Sequence, residues 1–507
     1  MDDPRLIINQ SLKQLRDRAD CLSVETVKLF ANQAISFFFD YYHSTQQVLR
    51  EAIELLCRIN ILPDPNLSRI GVNALFPKLI ERLNDAFDPA YCKLYDEVFS
   101  QVISFCRAIP EGHKLDSTLT QFGLPDELSL LKRIELLRQK SNAIDPNAAI
   151  KKIILLSRIT IGADVAISSV ILSHLKKIYP YADLVIIGPS KLSDLYGGDA
   201  QVRISPLNYE RTDSLIGRLN AWLSVLDIVQ AEISSLSADQ FYIFDPDSRL
   251  TQLGILPLLP PSLEFTNYFL FPSRTLTQSN ISKLGHLTSH WINQFSADCQ
   301  PTYPYVSLPP LKREIGTQLR KYFWNEAKPT IICISFGYGG NISKRVTASF
   351  EQNLVKLLSR DYKIFLDFGF TQQESEEVEA ILRVVTISGK QILRLDEQNF
   401  STYLNPALSN YDLIAWKGGI GSFASLISAS NYYIGYDSSG QHIAAALGIP
   451  LITVFVNSGS SLFADRWQPF GTGKSQIINI SPKQNYNEDI LLDQIVTMLH
   501  RNMNLFP

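Results

Sequence analysis

YDSSGQHIAAALGIP, residues 436–450, decides how the rest of the chain is read. Tyr432 to Tyr436 has the apolar, aromatic character of a buried strand. Asp437 to Gly440 forms a tight polar loop, and Gln441 to Leu447 a short helix with Ser438 or Ser439 as its N-cap. Gly448 suits the residue just past a helix end, and Pro450 prevents resumption. Leu451 to Phe455 is again a continuous apolar strand. The stretch is a βαβ unit with a polar turn at the carboxyl end of its first strand, where open α/β sheets bind ligands. Ala444, Ala445 and Ala446 let the helix lie close to the sheet, and its free N–H groups favour an anion. Asp437 and His442 stand beside that anion site. The plainer alternative is an ordinary turn in which Asp437 caps a helix and His442 is packed.

Working outward, the same alternation begins at Lys151. KKIILLS (151–157) reads as a strand, RITIGAD (158–164) as a loop, and VAISSVILSHLKKIYP (165–180) as a helix ended by proline. ADLVIIG (182–188) is the next strand, and AEISSLSADQFYIFDPD (231–247) adds a helix and a strand. A proline-rich connector, QPTYPYVSLPPLKREIG (300–316), separates this series from a second one. The second series runs through PTIICISFG (329–337), YKIFLDFG (362–369) and the opening stretch, and ends in an amphipathic helix bearing Leu491, Ile495 and Met498. Strands alternating with helices predict parallel sheets. Residues 1–148 read differently, as all helix. Asp-Pro pairs at 3–4, 88–89 and 145–146 mark helix starts, and Leu94, Val98, Val102 and Phe105 share one face, as do Leu130, Ile134 and Leu137. Long helices are expected over 23–59 and 89–108. The expected fold class is therefore α/β, with two Rossmann-like domains and an additional N-terminal all-α domain: 1–148 helical, 149–310 the first Rossmann-like domain, and 311–507 the second, whose final helix can pack back on the first.

Composition narrows the function. Charged residues make up 19% of the 507 and hydrophobic ones 45%, the balance of a globular chain. Residues 1–150 hold 17 basic and 20 acidic residues, which accounts for the whole net charge of −3. Neither half is a basic platform, so no nucleic acid is expected. The six cysteines (21, 57, 92, 106, 299, 333) form no CxxC pair, which argues against a zinc site or a disulfide framework and for a reducing compartment. The N-terminus lacks an apolar signal core and no run approaches a membrane span, so a cytoplasmic location without a transmembrane segment is expected, peripheral membrane contact staying open.

Several lone motifs are set aside. GTGKS (471–475) mimics the end of a P-loop, but Gln468 stands where the leading glycine belongs and a strand follows. Asp245 and Asp247 in FDPDS make a DxD, a pattern that can hold a divalent metal but is common. The informative constellation is three loops, each at a strand's carboxyl end: RITIGAD, SFGYGGNISKR (335–345) and DSSGQH (437–442).

These loops resemble glycosyltransferase family nine, the lipopolysaccharide heptosyltransferases and their relatives, with the two-domain GT-B fold. RITIGADV stands for the family's R-x-S-S-L-G-D-V-like loop, and FGYGGNISK for its glycine-rich strand end followed by lysine. DSSGQHIAAALGIP stands for its D-[ST]-G-x-x-H-[LI]-A-A-A-L-G-x-P signature, and RWQPFGTGKSQII for its usual ending. The resemblance spans about residues 151–505 and leaves the helical block unexplained. Two departures stand out: Ala163 separates Gly162 from Asp164, and Ser439 occupies the family's glycine position.

The resemblance implies an inverting, metal-independent transferase of the hexosyl or heptosyl class. It would move a sugar from a nucleotide-diphosphate donor to a hydroxyl on a glycan, lipid-linked or protein acceptor, with no cofactor. Asp164 is the implied general base; its alternative is a helix N-cap. Lys344, the backbone of Ser438, Ser439 and Gly440, and His442 are the implied holders of the diphosphate; for Lys344 the alternative is a solvated loop lysine. Asp437 would hold sugar hydroxyls, and Gly337 and Gly339 let a nucleotide approach the backbone. Arg158 would meet an anionic acceptor or donor group, or else pair with a neighbouring carboxylate. A noncatalytic binding scaffold on the same fold, or a sugar-nucleotide epimerase, are the competing functions.

Overall fold

The computed structural model describes residues 3–17, 21–139, 144–209, 214–295, 300–339, 341–456, 461–480 and 486–503. Cys299 lies outside these residues. Contacts divide the chain into two compact units.

The first unit comprises 1–159, 185–189 and 205–276. Every element from Pro4 to Gln139 is helical. The helix expected over 23–59 is broken in two, Val24–Thr45 and Arg50–Asn60. Gln46 ends the first in the left-handed region at φ 58°, donating its backbone N–H to the Tyr42 carbonyl. Polar side chains through 43–47 leave no apolar stripe to continue the helix there. The other expected helix forms at Pro89–Arg107, with Asp88 accepting from the Ala90 N–H as N-cap.

Strands β1 (Lys152–Leu156), β2 (Asp183–Gly188), β3 (Val202–Pro206), β4 (Phe241–Asp245) and β5 (Tyr268–Leu270) make a five-stranded sheet in the order β3-β2-β1-β4-β5, parallel at β1–β4 and β4–β5. The apolar runs of β1, β2 and β4 are the near-continuous kind that a sheet covered on both faces requires. The helices do not have a core of their own. Phe38, Leu56, Phe99 and Leu130 belong to one buried cluster with Ile154, Ile187, Ile243 and Tyr268 from the strands.

The second unit comprises 160–184, 190–204 and 277–507. Its strands are β6 (Ile331–Ser335), β7 (Lys363–Asp367), β8 (Ile392–Asp396), β9 (Leu413–Lys417), β10 (Tyr432–Tyr436), β11 (Leu451–Val456) and β12 (Ser475–Ile480). They form one sheet in the order β12-β11-β10-β6-β7-β9-β8, with all pairings parallel. The strand that follows GTGKS is β12. The C-terminal helix Glu488–Met503 places Leu491, Leu492, Ile495 and Leu499 in this sheet's core, among Ile334, Ile364 and Ile434.

Both sheets have a topological switch point, where chain order reverses. It falls between β1 and β4 in the first and between β6 and β10 in the second. Open α/β sheets leave a crevice for ligand there.

Candidate active site at the second switch point

Strand β10 pairs with β6 so that Gly435 lies opposite Ser335. The loops that follow these two strands therefore leave the sheet side by side. The first carries Gly337, Gly339 and Lys344; the second carries Asp437, Ser438, Ser439, Gly440 and His442.

Across them Lys344 Nζ lies 2.6 Å from Asp437 Oδ2 and 3.4 Å from the Asp437 carbonyl, with the Phe463 ring 5.5 Å away. Lys344 is therefore not a lysine free in solvent. Its loop is fixed by groups the sequence did not single out. Arg345 clamps Glu351 through two nitrogens, at 2.7 and 2.6 Å, and reaches Glu377 at 2.7 Å. Glu374 accepts from the Tyr338 N–H at 3.0 Å. Arg345 is adjacent to Lys344 in sequence, and that adjacency was the available signal.

The helix of the third loop forms at Ser439–Ala446, with Ser438 as an extended N-cap whose side chain makes no capping bond. The Ser438 hydroxyl is thus not committed to its own helix. Gly448 closes the far end at φ 71°, as its position predicts. Asp437 does not cap the helix through its side chain. Its Oδ1 instead accepts from Gln441 Nε2 at 2.8 Å. Gln441 is fully buried, also donates to the Trp467 carbonyl, and keeps an Oε1 with no hydrogen-bond partner among the described residues.

His442 is buried, with Trp467 edge-on at 5.9 Å. Burial pushes its pKa down to about 4; Lys344 works in the same direction and Asp437 against it. The imidazole is neutral near pH 7.

Gly440 is required by its surroundings. A Cβ there would meet the Tyr433 hydroxyl at 2.1 Å, and one at Gly435 would meet the same hydroxyl at 2.3 Å. The buried Tyr433 ring thus props the turn from beneath. Gly337 has open space by comparison, with its nearest neighbour at 3.5 Å, and Gly339 adopts φ 62°. The glycines of GTGKS serve packing: Cβ atoms at Gly471 and Gly473 would strike the Ala445 and Gly448 carbonyls.

The segment that bears Asp164 belongs to this same unit. A Cβ on Gly162 would stand 3.2 Å from His442 Cδ2 and 3.3 Å from Ser439 Cα, so this loop touches the start of the Ser439–Ala446 helix. Thr160, not Asp164, is the N-cap, because the helix begins at Ile161. Asp164 opens a π-helical turn, Asp164–Ser168, before the α-helix Ser169–Ile178. Asp164 is buried; its Oδ1 accepts from Ser168 Oγ at 2.9 Å, and its carbonyl accepts from the Tyr196 hydroxyl.

Arg158 sits in the first unit, at that sheet's switch point. It is buried and donates to the Pro246 carbonyl and to Ser273 Oγ. The DxD carboxylates are committed internally. Asp245 accepts from Thr251, from Tyr268 at 2.6 Å and from the Ser248 N–H, and burial pushes its pKa up to about 6. Asp247 is bonded to Ser273 and Arg274. Among the described residues no cluster of His, Cys, Asp and Glu is arranged to hold a metal, and no helix is long and apolar enough to cross a membrane.

Two sheets with parallel strand pairings and polar loops at their switch points define an α/β fold. Residues 396–490 match the model of glycosyltransferase family 9 (heptosyltransferase). The chain thus resembles that family in a window that includes Asp437, Ser438, Ser439, Gly440 and His442, with Lys344, Asp164 and Arg158 outside it. Among solved structures, a family 9 glycosyl transferase from Veillonella parvula is similar at 14% identity and a TM-score of 0.49, over 70% of this chain and 92% of that one. ADP-heptose lps heptosyltransferase II of E. coli is similar at 16% identity and a TM-score of 0.45, over 69% and 99%. E. coli heptosyltransferase WaaC with ADP is similar at 11% and 0.45, also over 69% and 99%. No curated protein sequence matches the chain.

Proposed function

We propose that the chain is an inverting glycosyltransferase that moves a sugar from a nucleotide-diphosphate donor to a hydroxyl acceptor. The observation that carries this reading is the Lys344–Asp437 ion pair across the second switch point, at the start of the Ser439–Ala446 helix.

The leaving diphosphate needs fixed donors where its charge develops. The Lys344 ammonium and the first N–H groups of the helix supply them, and the short ammonium–carboxylate contact holds the lysine ready. When the donor enters, the diphosphate shares the ammonium and Asp437 turns an oxygen toward a sugar hydroxyl. The Gln441 Oε1, unpartnered among the described residues, offers a second acceptor beside it. Neutral His442 donates or accepts one hydrogen bond without adding charge. With a lysine and a helix N-terminus facing the diphosphate, the reaction needs neither metal nor cofactor in this reading.

The acceptor hydroxyl loses its proton to Asp164 as it attacks the anomeric carbon. The carbon–oxygen bond to the diphosphate breaks, and the configuration inverts. A carboxylate oriented by Ser168 suits that task. Arg158 meets an anionic group of the acceptor. The large helical segment fits a large acceptor: a glycan, a lipid-linked saccharide or a protein. A cytoplasmic setting, where nucleotide sugars are made, fits the same reading.

Asp164→Asn is the test. It keeps the shape of the side chain and removes the base, so donor binding should persist while transfer falls at least about 100-fold. Equal loss of both, or neither, contradicts the assignment of Asp164.

A further inference from the structure

The first switch point is occupied by a buried chain of polar groups that leads away from the sheet into the N-terminal helices. Arg158 donates to Ser273 Oγ at 3.2 Å, and that hydroxyl donates to Asp247 Oδ2 at 2.7 Å. The same oxygen accepts from Arg274 Nε at 3.1 Å. Arg274 Nη2 lies 3.9 Å from Asp96 Oδ1, on the helix Pro89–Arg107. Arg138, on the helix Glu127–Gln139, grips both oxygens of Asp96. Asp96, Asp247, Ser273 and Arg274 are each less than 5% exposed, and the Arg274 guanidinium lies 4.6 Å over the Tyr95 ring. Asp247 takes up the left-handed region, φ 64°, to point its carboxylate inward. A strained residue at a strand's carboxyl end persists only where its surroundings hold it.

Two guanidinium groups, Arg274 and Arg138, thus share the two carboxylates, and Arg158 reaches Asp247 through Ser273. Buried charges of this kind are stable only when every member keeps its partner. The Ser273 hydroxyl can accept from Arg158 because its hydrogen is drawn to Asp247. Asp247 can spare an oxygen for Ser273 because Arg274 is also balanced by Asp96. Without the Asp96 charge, Arg274 closes on Asp247 alone, Ser273 loses its acceptor, and Arg158 loses one of its orienting partners while keeping the Pro246 carbonyl.

We infer that Asp96 of the N-terminal helical segment is a positioning residue for Arg158, acting through Arg274, Asp247 and Ser273. The DxD at 245–247 then serves as a relay between the helices and the acceptor-side loop. Its bearing on the acceptor rests on the proposed transferase function, in which Arg158 meets an acceptor anion.

The test is the rate at which phenylglyoxal modifies each arginine of the full chain, followed by mass spectrometry. Exposed Arg394 is the reference, and buried Arg133, paired with Glu264, is the control for general loosening. Asp96→Asn should raise the rate at Arg158 at least fivefold relative to Arg394 while Arg133 stays slow. Ser273→Ala, which leaves both carboxylates in place, should raise it at Arg158 and not at Arg138. If Asp96→Asn cannot be purified folded, Asp96→Glu displaces the same charge by one methylene and should show a smaller rise at Arg158. An unchanged Arg158 rate in a folded variant, or an equal rise at Arg133, overturns the relay. No nucleotide sugar enters this assay, so a chain that binds none would refute the transferase reading and leave the relay result standing.

Discussion

Lys344 and Asp437, 93 residues apart in sequence, meet at 2.6 Å where strands β6 and β10 lie side by side. Neither loop holds the diphosphate without the other in the proposed mechanism. Lys344→Met should therefore weaken nucleotide-sugar binding by about 10- to 100-fold, the worth of one charge-assisted hydrogen bond. Isothermal titration against the bound sugar nucleotide measures this. An unaltered affinity would place the diphosphate elsewhere.

His442 gives a pH signature with a definite sign. Its imidazole has a pKa of about 4 in the folded chain, below its ordinary 6.5, because burial disfavours the cation. The unfolded chain therefore takes up the proton first as pH falls. The contribution of His442 to stability is complete above about pH 6.5 and is lost as pH drops toward 4, by about 3 kcal/mol at most. Denaturant unfolding at pH 7.5 and pH 4.5 should show a smaller loss in His442→Gln than in the native chain. An equal loss in both would mean that the imidazole is not held neutral.

Three glycines should respond differently to alanine. Gly440→Ala drives a methyl into the Tyr433 hydroxyl and should cost about 3 kcal/mol. Gly162→Ala presses on His442 and Ser439 at 3.2–3.3 Å and should cost about 1 kcal/mol, with a larger loss of activity than of stability. Gly337→Ala meets nothing closer than 3.5 Å and should stay within about 0.5 kcal/mol of the native chain. Thermal unfolding of the three variants gives the ranking, and a reversed order would contradict the packing described beneath the turn.

The DxD gives a fourth expectation. Asp245→Ala removes the shared acceptor of Thr251, Tyr268 and the Ser248 N–H, so it should lower stability by about 2 kcal/mol. Saturating EDTA should leave transfer by the native chain unchanged. Loss of transfer on chelation, restored by a divalent cation, would count against the metal-independent reading.

The βαβ unit at 432–456 was readable because every signal in it is local: an apolar run, a small polar turn, three alanines, Gly448 and Pro450. The polar turn that leads to His442 was legible in the local pattern, whereas Lys344 was singled out only through the resemblance of FGYGGNISK to a family motif. The break at Gln46 was not readable as such, since Ser, Thr and Gln are tolerated in helices as well as at their ends. The N-cap alternative for Asp164 failed because the helix starts one turn earlier, at Ile161, and Asp164 lies inside it, opening the π turn that follows. Arg345–Glu351, Tyr433 beneath Gly440, and Asp96 near Arg274 depend on which elements become neighbours. That is settled by sheet order and core packing, and no local pattern encodes it.

The central claim is that the second switch point holds a nucleoside-diphosphate sugar. A thermal-shift screen of ADP-, GDP-, UDP- and dTDP-sugars against the native chain and Lys344→Met tests it directly, since a ligand bound to the folded state raises the midpoint. One nucleotide class should raise the midpoint of the native chain and have little effect on the variant at the same concentration. A native chain that no sugar nucleotide stabilises, or a variant stabilised as strongly as the native chain, would contradict the account.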